Sequence, residues 1–289
     1  MAMKLKHSFL LVALPSLLVL GSCAGSPSST TNSAQPTSEV AQNNTAGVEF
    51  SNETYAGVLS SYVNAQGLVN YSELQTNRAA LDRYNAALGN VSTSTYESWS
   101  EAEQIAFWTN AYNSLTLQSI IDQNPLKKSI RDISGVWKGR KFPIVETNKT
   151  LDNIEHKTLR VDFDEPRIHM ALVCAAISCP ILRNEPYTGD RLDEQLDDQT
   201  RIFLGSSQGL KIDRQANEVH LSSIFKWFGE DWENKYGAGT DDKFAGNSKE
   251  RAVLNFVSQY VSAEDRDYLI AGDYKVKYLN YDWSLNKQS

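Results

Sequence analysis

The length, composition and charge of this chain limit what it can be. Of its 289 residues 41% are hydrophobic, and six Trp, 13 Tyr and 10 Phe are among them, which suffices for a large hydrophobic core. The formal net charge of −7 argues against a nucleic-acid-binding protein and against electrostatic adsorption to acidic lipids.

The first 23 residues are typical of a bacterial export signal. A positively charged start precedes an apolar run from 9 to 20, which has the length of a signal-peptide core and is too short for a transmembrane helix of about 20 residues. The run leads into Leu20-Gly21-Ser22-Cys23, which resembles the lipobox of bacterial lipoproteins, whose cysteine is acylated. Ordinary secretory cleavage, with Cys23 incidental, is the alternative. We expect Cys23 to anchor the protein in a membrane of the bacterial cell envelope, facing the periplasm or the cell exterior.

Residues 24–47 predict a disordered tether. They are rich in Ser, Thr, Asn, Gln, Ala and Pro and almost free of charged and aromatic residues, so they cannot bury enough apolar surface to offset chain entropy. The remaining residues, 48–289, are predicted to form one globular domain, because about 240 residues lie within the range of a single large domain.

The strongest predicted helix extends from Ser100 to Ile121. Ser100 and Glu103 fit a capping box, and apolar residues occupy two faces of the helix, which is typical of a buried central helix. Asn110 and Asn113 lie on it and would need hydrogen-bond partners. Either they hold neighbouring loops, or they orient a catalytic group or donate to an oxyanion.

The other elements mix helices and strands without a regular βαβ alternation, which predicts the α+β class. Helices are expected over 53–63, 72–88, 192–203, 224–228 and 249–261, and from Asp152, as N-cap with Glu155 three residues later, to about Arg160. Strands are expected over 141–145, 168–174 and 275–283, and in a hairpin of 210–213 with 218–221.

Five ordered blocks of this sequence resemble the bacterial and plant "domain of unknown function 547" family. The resemblance covers nearly all of the chain from about residue 50 to Asn286 and implies no established activity. Its Cys, His, Glu and Asn residues are similar to the inventory of papain-like and transglutaminase-like thiol enzymes, which implies a related fold and chemistry. Those enzymes usually have Cys before His, whereas here His169 precedes Cys179. The blocks are Phe107–Asn113, Leu151–His156, His169–Pro180, Ile224–Trp227 and Tyr281–Asn286.

The third block carries the candidate chemistry, because it contains one of four histidines and two of three cysteines. Side chains alternate along a strand, so His169 and Cys174 would point to opposite faces, and Cys174 is expected to pack as a small hydrophobe. Cys179 follows the predicted strand in a turn and could fold back towards His169, a base that would activate its thiol.

Two catalytic arrangements stay open at this point. In the first, Cys179 is the nucleophile, His169 the base, and Glu155 or Asn110 the orienting group. In the second, which has the usual order along the chain, Cys179 acts with His220 and Asp231.

A structural role for the two cysteines competes with both arrangements. Paired cysteines of exported proteins commonly form disulfides, and a Cys174–Cys179 bond would close a short loop. We predict no metal site, since the CxxC spacing and a clear fourth ligand are missing, and no cofactor, since a Gly-rich phosphate loop is missing. The nucleophile elbow Gly-x-Ser-x-Gly of serine hydrolases is missing as well.

Two hypotheses about function follow. The first is a lipid-anchored thiol hydrolase or acyl transferase that acts on peptide or amide bonds in the envelope. The second is a non-catalytic envelope lipoprotein that binds a peptide or another envelope ligand in a pocket closed by the Cys174–Cys179 disulfide.

Overall fold

The computed structural model describes residues 50–288. The predicted signal peptide, the lipidation site Cys23 and the predicted tether over 24–47 lie outside the described residues. Over 50–288, no helix combines the length and the apolar character that a membrane span requires.

The described chain is a mixture of helices and strands in one domain, which confirms the α+β prediction. The helices are α1 Glu53–Tyr62, α2 Tyr71–Thr76, α3 Ala79–Gly89, α4 Thr93–Ser98, α5 Glu101–Ile121, α6 Leu151–Ile154, α7 Arg160–Asp162, α8 Ile168–Ala171, α9 Leu192–Leu204, α10 Ser223–Phe228, α11 Glu233–Tyr236, α12 Ser248–Val257 and α13 Ala263–Ala271. A π-helical turn, Glu155–Leu159, joins α6 to α7, and 3₁₀ turns lie at Ile130–Asp132, Gly189–Arg191 and Gly229–Trp232.

Two small sheets accompany the helices. The strands β1 Phe142–Ile144 and β2 Thr147–Lys149 form an antiparallel hairpin. The second sheet has the order β3-β4-β5, in which β3 Leu210–Asp213 pairs antiparallel with β4 Glu218–Leu221, and β4 pairs parallel with β5 Lys275–Tyr278. The hairpin predicted from the alternating pattern is confirmed, whereas the last strand ends five residues earlier than predicted, at Tyr278.

Helix α5 forms the centre of the fold, as its two apolar faces predicted. Every residue from Ile105 to Ile121 is buried, and the helix packs against α2, α3, α6 and α9. Both halves of its capping box are present: the Ser100 side chain accepts from the Glu103 backbone N–H, and the Glu103 carboxylate accepts from the Ser100 backbone N–H. Each such cap satisfies backbone donors that the first helical turn leaves free.

Three local predictions were wrong, each for a physical reason. Residues 72–88 form two helices, α2 and α3, of which Asn70 caps the first. Thr150, not Asp152, caps α6, and its partner is Asn153, so Glu155 is not part of a cap. In both cases the capping residue is a neighbouring polar residue that can also accept a backbone N–H.

The third error concerns the central block, which is not a strand. Residues Ile168–Ala171 form the single helical turn α8, and Leu172 then continues in extended geometry. A short apolar run bounded by turn residues does not distinguish a buried strand from a buried helical turn. His169 and Cys174 therefore do not lie on one strand, and the prediction that they point to opposite faces of a strand is wrong.

The core consists of two hydrophobic clusters. The first surrounds α5 and includes the helices α1 to α3. The second contains β4, Trp232 and the buried faces of α12 and α13. Helix α8 takes part in both, because Ile168 and Ala171 pack into the first cluster and Met170 into the second.

Candidate functional site

A cavity of about 360 Å³ is lined by residues that pack on both clusters. Most of its wall is aromatic or aliphatic, and the polar side chains in it are few. The aromatic lining consists of Tyr112, Trp137, Trp227, Phe228, Tyr281 and Trp283. The remaining polar and sulfur-containing lining consists of Lys138, Asp152, Glu155, His156, His169, Cys174 and Cys179.

Cys174 and Cys179 form a disulfide in the wall of this cavity, with their Cα atoms 6.3 Å apart. The hydroxyl of Tyr281 lies 3.3 Å from the sulfur of Cys174 and 3.2 Å from that of Cys179. Burial, with a smaller contribution from the charge of Glu155, raises the pKa of Tyr281, so this hydroxyl keeps its hydrogen and faces the sulfurs as a donor.

The loop between the two cysteines is fixed by the C-terminal segment, residues 281–286. Ala175 has a left-handed backbone, with φ of 59°, which is uncommon for a residue other than glycine. The backbone N–H of Asn286 donates to the Ala175 carbonyl at 3.1 Å, and that of Ile177 donates to the Ser284 carbonyl at 2.9 Å. These bonds hold the loop in a conformation that the sequence of the loop alone does not favour.

Asn113 fixes the entry to the same loop. Its amide nitrogen donates to the Ala171 carbonyl at 3.0 Å, and its amide oxygen accepts from the Val173 backbone N–H at 2.9 Å. Asn113 is buried, and its side chain supplies the partners that this extended segment lacks.

Asn110 does not reach the cavity. Its amide bonds both ways to the backbone of Tyr187, at 2.8 and 2.9 Å, and so positions the segment before α9. The structure therefore gives both asparagines of α5 a positioning role, and it does not bring Asn110 to Cys179 or His169.

His169 is held by Asp231, a pairing that was not predicted. Its Nε2 lies 2.7 Å from Oδ2 of Asp231, and the residue is only 3% exposed. The imidazole stacks on Phe228, with ring centroids 4.5 Å apart, and on Trp232 at 5.3 Å. Because a carboxylate only accepts, Nε2 carries a hydrogen, and in the neutral ring Nδ1 is an acceptor that has no hydrogen-bond partner among residues 50–288.

Arg160 completes the network behind the cavity wall. Its guanidinium donates to both oxygens of Asp231, at 2.6 and 2.8 Å, and to Glu230 at 3.1 Å. Burial alone would raise the pKa of Asp231, but the hydrogen bonds from His169 and Arg160 outweigh it and hold the pKa of this carboxyl well below its usual range.

Glu155 lines the cavity from the π-helical turn, and its side chain is 12% exposed. Burial and, next, the nearby Glu155 carboxylate raise the pKa of Tyr112, which lies in the same wall. The ring of His156 approaches Glu155 to 4.0 Å through Nε2, while its Nδ1 lies 3.0 Å from the Arg160 guanidinium. Since the guanidinium only donates, Nδ1 of His156 accepts this hydrogen bond.

The alternative arrangement with His220 is not assembled. His220 lies on β4, pairs with Glu218 at 3.0 Å and does not line the cavity. Asp231, its predicted partner, forms a hydrogen bond with His169 instead. Among the predicted residues, the cavity thus brings together Cys174, Cys179, His169 and Glu155, and Asp231 reaches it through His169.

Sequence reasoning missed the aromatic wall and Arg160. The block Tyr281–Asn286 was recognised as a motif, and its two aromatic residues could have been taken as lining residues on that basis. Arg160 gave no signal, because its partners are 70 and 71 residues away along the chain. Within residues 50–288, no group of three or more His, Cys, Asp or Glu side chains is placed to hold a metal ion.

Replacing Asp231 by Asn should test the network through its pH dependence. A carboxyl whose pKa is lowered by folding contributes stability above its ordinary pKa of about 3.9, and this contribution is lost as the pH falls through the folded-state value. We expect Asp231→Asn to lower the free energy of unfolding by roughly 2 kcal/mol at pH 7 and by less at pH 3. Urea unfolding at both pH values measures the difference.

The matched control is Asp273→Asn, because Asp273 is exposed and has no ion pair among the described residues. It should change stability little at either pH. An equal loss for Asp231→Asn at pH 7 and pH 3 would show that the charge of Asp231 does not hold the network.

One comparison with protein families matched part of this chain. Residues 96–204, which include α5, Glu155, His169 and both cysteines, match the family model described as "Protein of unknown function, DUF547". No curated protein and no solved structure matched the chain. Asp231, Trp227 and Tyr281 lie beyond the matched residues. From α4 to the end of α9 the resemblance of this chain to the DUF547 family is confirmed.

Proposed function

We propose that this protein is a non-catalytic binding lipoprotein of the bacterial cell envelope, and that a small organic ligand or a peptide side chain occupies the aromatic cavity. The observation that carries the proposal is the Cys174–Cys179 disulfide in the cavity wall. With both sulfurs bonded to each other, the cavity contains no thiol nucleophile. What remains is a concave, largely apolar site with a few directed polar groups, as is typical of ligand sites.

The rigidity of the wall supports binding. Trp283 contacts Trp227 and Tyr281, with ring centroids 5.8 and 4.6 Å apart, and the disulfide loop is fixed by the C-terminal segment. A wall that is already ordered loses little conformational entropy when a ligand binds. The indole of Trp227 is 41% exposed, so it is available at the surface of this wall.

The cellular location is part of the same proposal. An intramolecular disulfide persists in oxidising compartments outside the cytosol. This agrees with the export signal over residues 1–23 and with membrane attachment through acylated Cys23, the two features predicted from the sequence. Cys23 would hold the binding domain at the membrane, at the end of the polar tether.

A neutral fluorescent probe tests the binding function. N-phenyl-1-naphthylamine should bind the purified, oxidised protein with one site, because the cavity is apolar and of about the size that small ligands require. Trp227→Ala should weaken probe binding about fivefold or more, since it removes a wall of the site. A fluorescence titration measures both.

The control is Ile202→Ala, which truncates another partly exposed apolar side chain that does not line the cavity. This variant should bind the probe as the unaltered protein does. Absence of saturable binding, or equal weakening by both substitutions, would overturn the proposal.

The His169–Asp231 pair favours a second candidate, the thiol hydrolase or acyl transferase. In a reduced protein, Cys179 would line the same cavity as an imidazole whose Nε2 is held by a carboxylate and whose Nδ1 can accept a proton. Asp231 would be the orienting group. Cys179 lies in a loop and not at a helix N-terminus, so activation would depend on the imidazole.

Alkylation of the reduced protein tests this candidate. If His169 activates the thiol, the rate of reaction of Cys179 with iodoacetamide should follow an apparent pKa well below about 8.5, and Asp231→Asn should raise that value. The Cys174→Ser variant isolates Cys179 for the measurement. If the pKa of the Cys179 thiol is ordinary and Asp231→Asn leaves it unchanged, the thiol-enzyme candidate is wrong.

A further inference from the structure

We infer that the cavity selects a ligand with a single positive charge, such as a primary or quaternary ammonium group, through Glu155 and the aromatic wall. This inference rests on the proposed binding function and names the chemical class of the ligand. It follows from the charges of the lining residues, considered one after another.

Glu155 is the one lining charge without a formal counter-charge among the described residues. Lys138 and Asp152 pair with each other at 3.6 Å at the cavity rim, where the Lys138 side chain is 81% exposed. Behind the wall, the Arg160 guanidinium is bound by Asp231 and Glu230. The nearest basic group to Glu155 is therefore His156.

His156 does not form a hydrogen bond with Glu155. Its Nδ1 accepts from the Arg160 guanidinium at 3.0 Å. Its Nε2 lies 4.0 Å from the Glu155 carboxylate, which is beyond hydrogen-bond distance. A bound cation would supply the counter-charge that this carboxylate lacks in a largely apolar wall.

The aromatic wall favours the same ligand. Trp227, Tyr281 and Trp283 lie against one another, with centroid distances of 4.6 to 5.8 Å. Aromatic faces attract cations within about 6 Å of the ring centroid, and sets of such faces bind ammonium groups. The guanidinium of Arg131, which does not line the cavity, already lies 5.2 Å from the Trp283 centroid. Trp227 and Tyr281 are then the rings of this group that a ligand would use.

Other ligand classes fit this charge pattern less well. An anion would bring a second negative charge against Glu155 inside a site of low polarity, which is strongly unfavourable. A neutral ligand would gain the apolar contacts but would leave the carboxylate charge uncompensated. A singly charged cation satisfies both features of the wall.

The test compares choline with its uncharged isostere 3,3-dimethyl-1-butanol by isothermal titration calorimetry on the purified, oxidised protein. Choline should bind about tenfold or more tightly than the alcohol, because only the charge differs. Choline should also displace N-phenyl-1-naphthylamine from the cavity. Equal affinities of choline and the alcohol would overturn the inference.

Glu155→Gln tests the assigned residue. The substitution should weaken choline binding about tenfold or more and leave the affinity for the neutral alcohol unchanged. Binding of N-phenyl-1-naphthylamine by this variant serves as the check that it is folded. The control is Glu97→Gln, since Glu97 is an exposed carboxylate of α4 that does not line the cavity, and it should change neither affinity.

The two proposals fail in different ways. If N-phenyl-1-naphthylamine binds and choline neither displaces it nor binds better than the alcohol, the cavity is a binding site without selectivity for cations, and this inference is wrong. If the neutral probe does not bind at all, the binding function itself is wrong, and the inference falls with it.

Discussion

The Asp231 carboxylate is the interaction on which this site depends. It accepts from His169, which lies on the single turn α8, and from Arg160, which begins α7. Asp231 itself belongs to the 3₁₀ turn next to Trp232, the buried aromatic residue of the second hydrophobic cluster. One carboxylate thus ties the elements around the first cluster to the second and fixes an imidazole in the wall between them. Such a charged group is stable in a partly buried position because both hydrogen-bonding partners are donors.

Another part of the wall depends on a second constraint, the fixed loop between the two cysteines. The loop Cys174–Cys179 is closed by its disulfide, held from outside by the C-terminal segment and from inside by Asn113. These contacts act on the backbone and leave the side chains of the wall to pack as aromatic surface. The cavity is therefore built by two rigid boundaries, of which one is ionic and the other covalent and hydrogen-bonded. That construction suits recognition of a ligand. The Glu155 carboxylate lies in this wall, whose lining is largely aromatic.

The sequence predicted the features that short-range rules determine. Helix α5 followed from its capping box and apolar faces, and the β3-β4 hairpin followed from its alternating pattern. For Asn113 the sequence left two roles open, holding a loop or taking part in catalysis, and its contacts with the loop backbone favour the first. The resemblance to the DUF547 family also pointed to His169 and to both cysteines, all of which line the cavity.

The rest could not be predicted because it is set by contacts between distant segments. Only the second of the two predicted arrangements used Asp231, and it grouped this residue with His220 because chain order was the available guide, whereas 62 residues separate Asp231 from its actual partner His169. α8 was interpreted as a strand because burial on all sides removes the periodicity that separates helix from strand. The hydrogen bond that Nδ1 of His156 accepts comes from Arg160, four residues away on the adjoining helix, and two acidic residues 70 and 71 positions further along the chain orient this guanidinium. No property of a single segment carries that information.

The state of the two cysteines in the exported protein tests the central claim most directly. The measurement is peptide mapping of Cys174 and Cys179 after alkylation of the native protein, before and after reduction, with Cys23 followed separately. The account predicts that neither residue is labelled until the protein is reduced and that both are labelled afterwards. Labelling of Cys179 without reduction would contradict it, because a free thiol would then line the same cavity as His169 and the cavity would be a site for thiol chemistry.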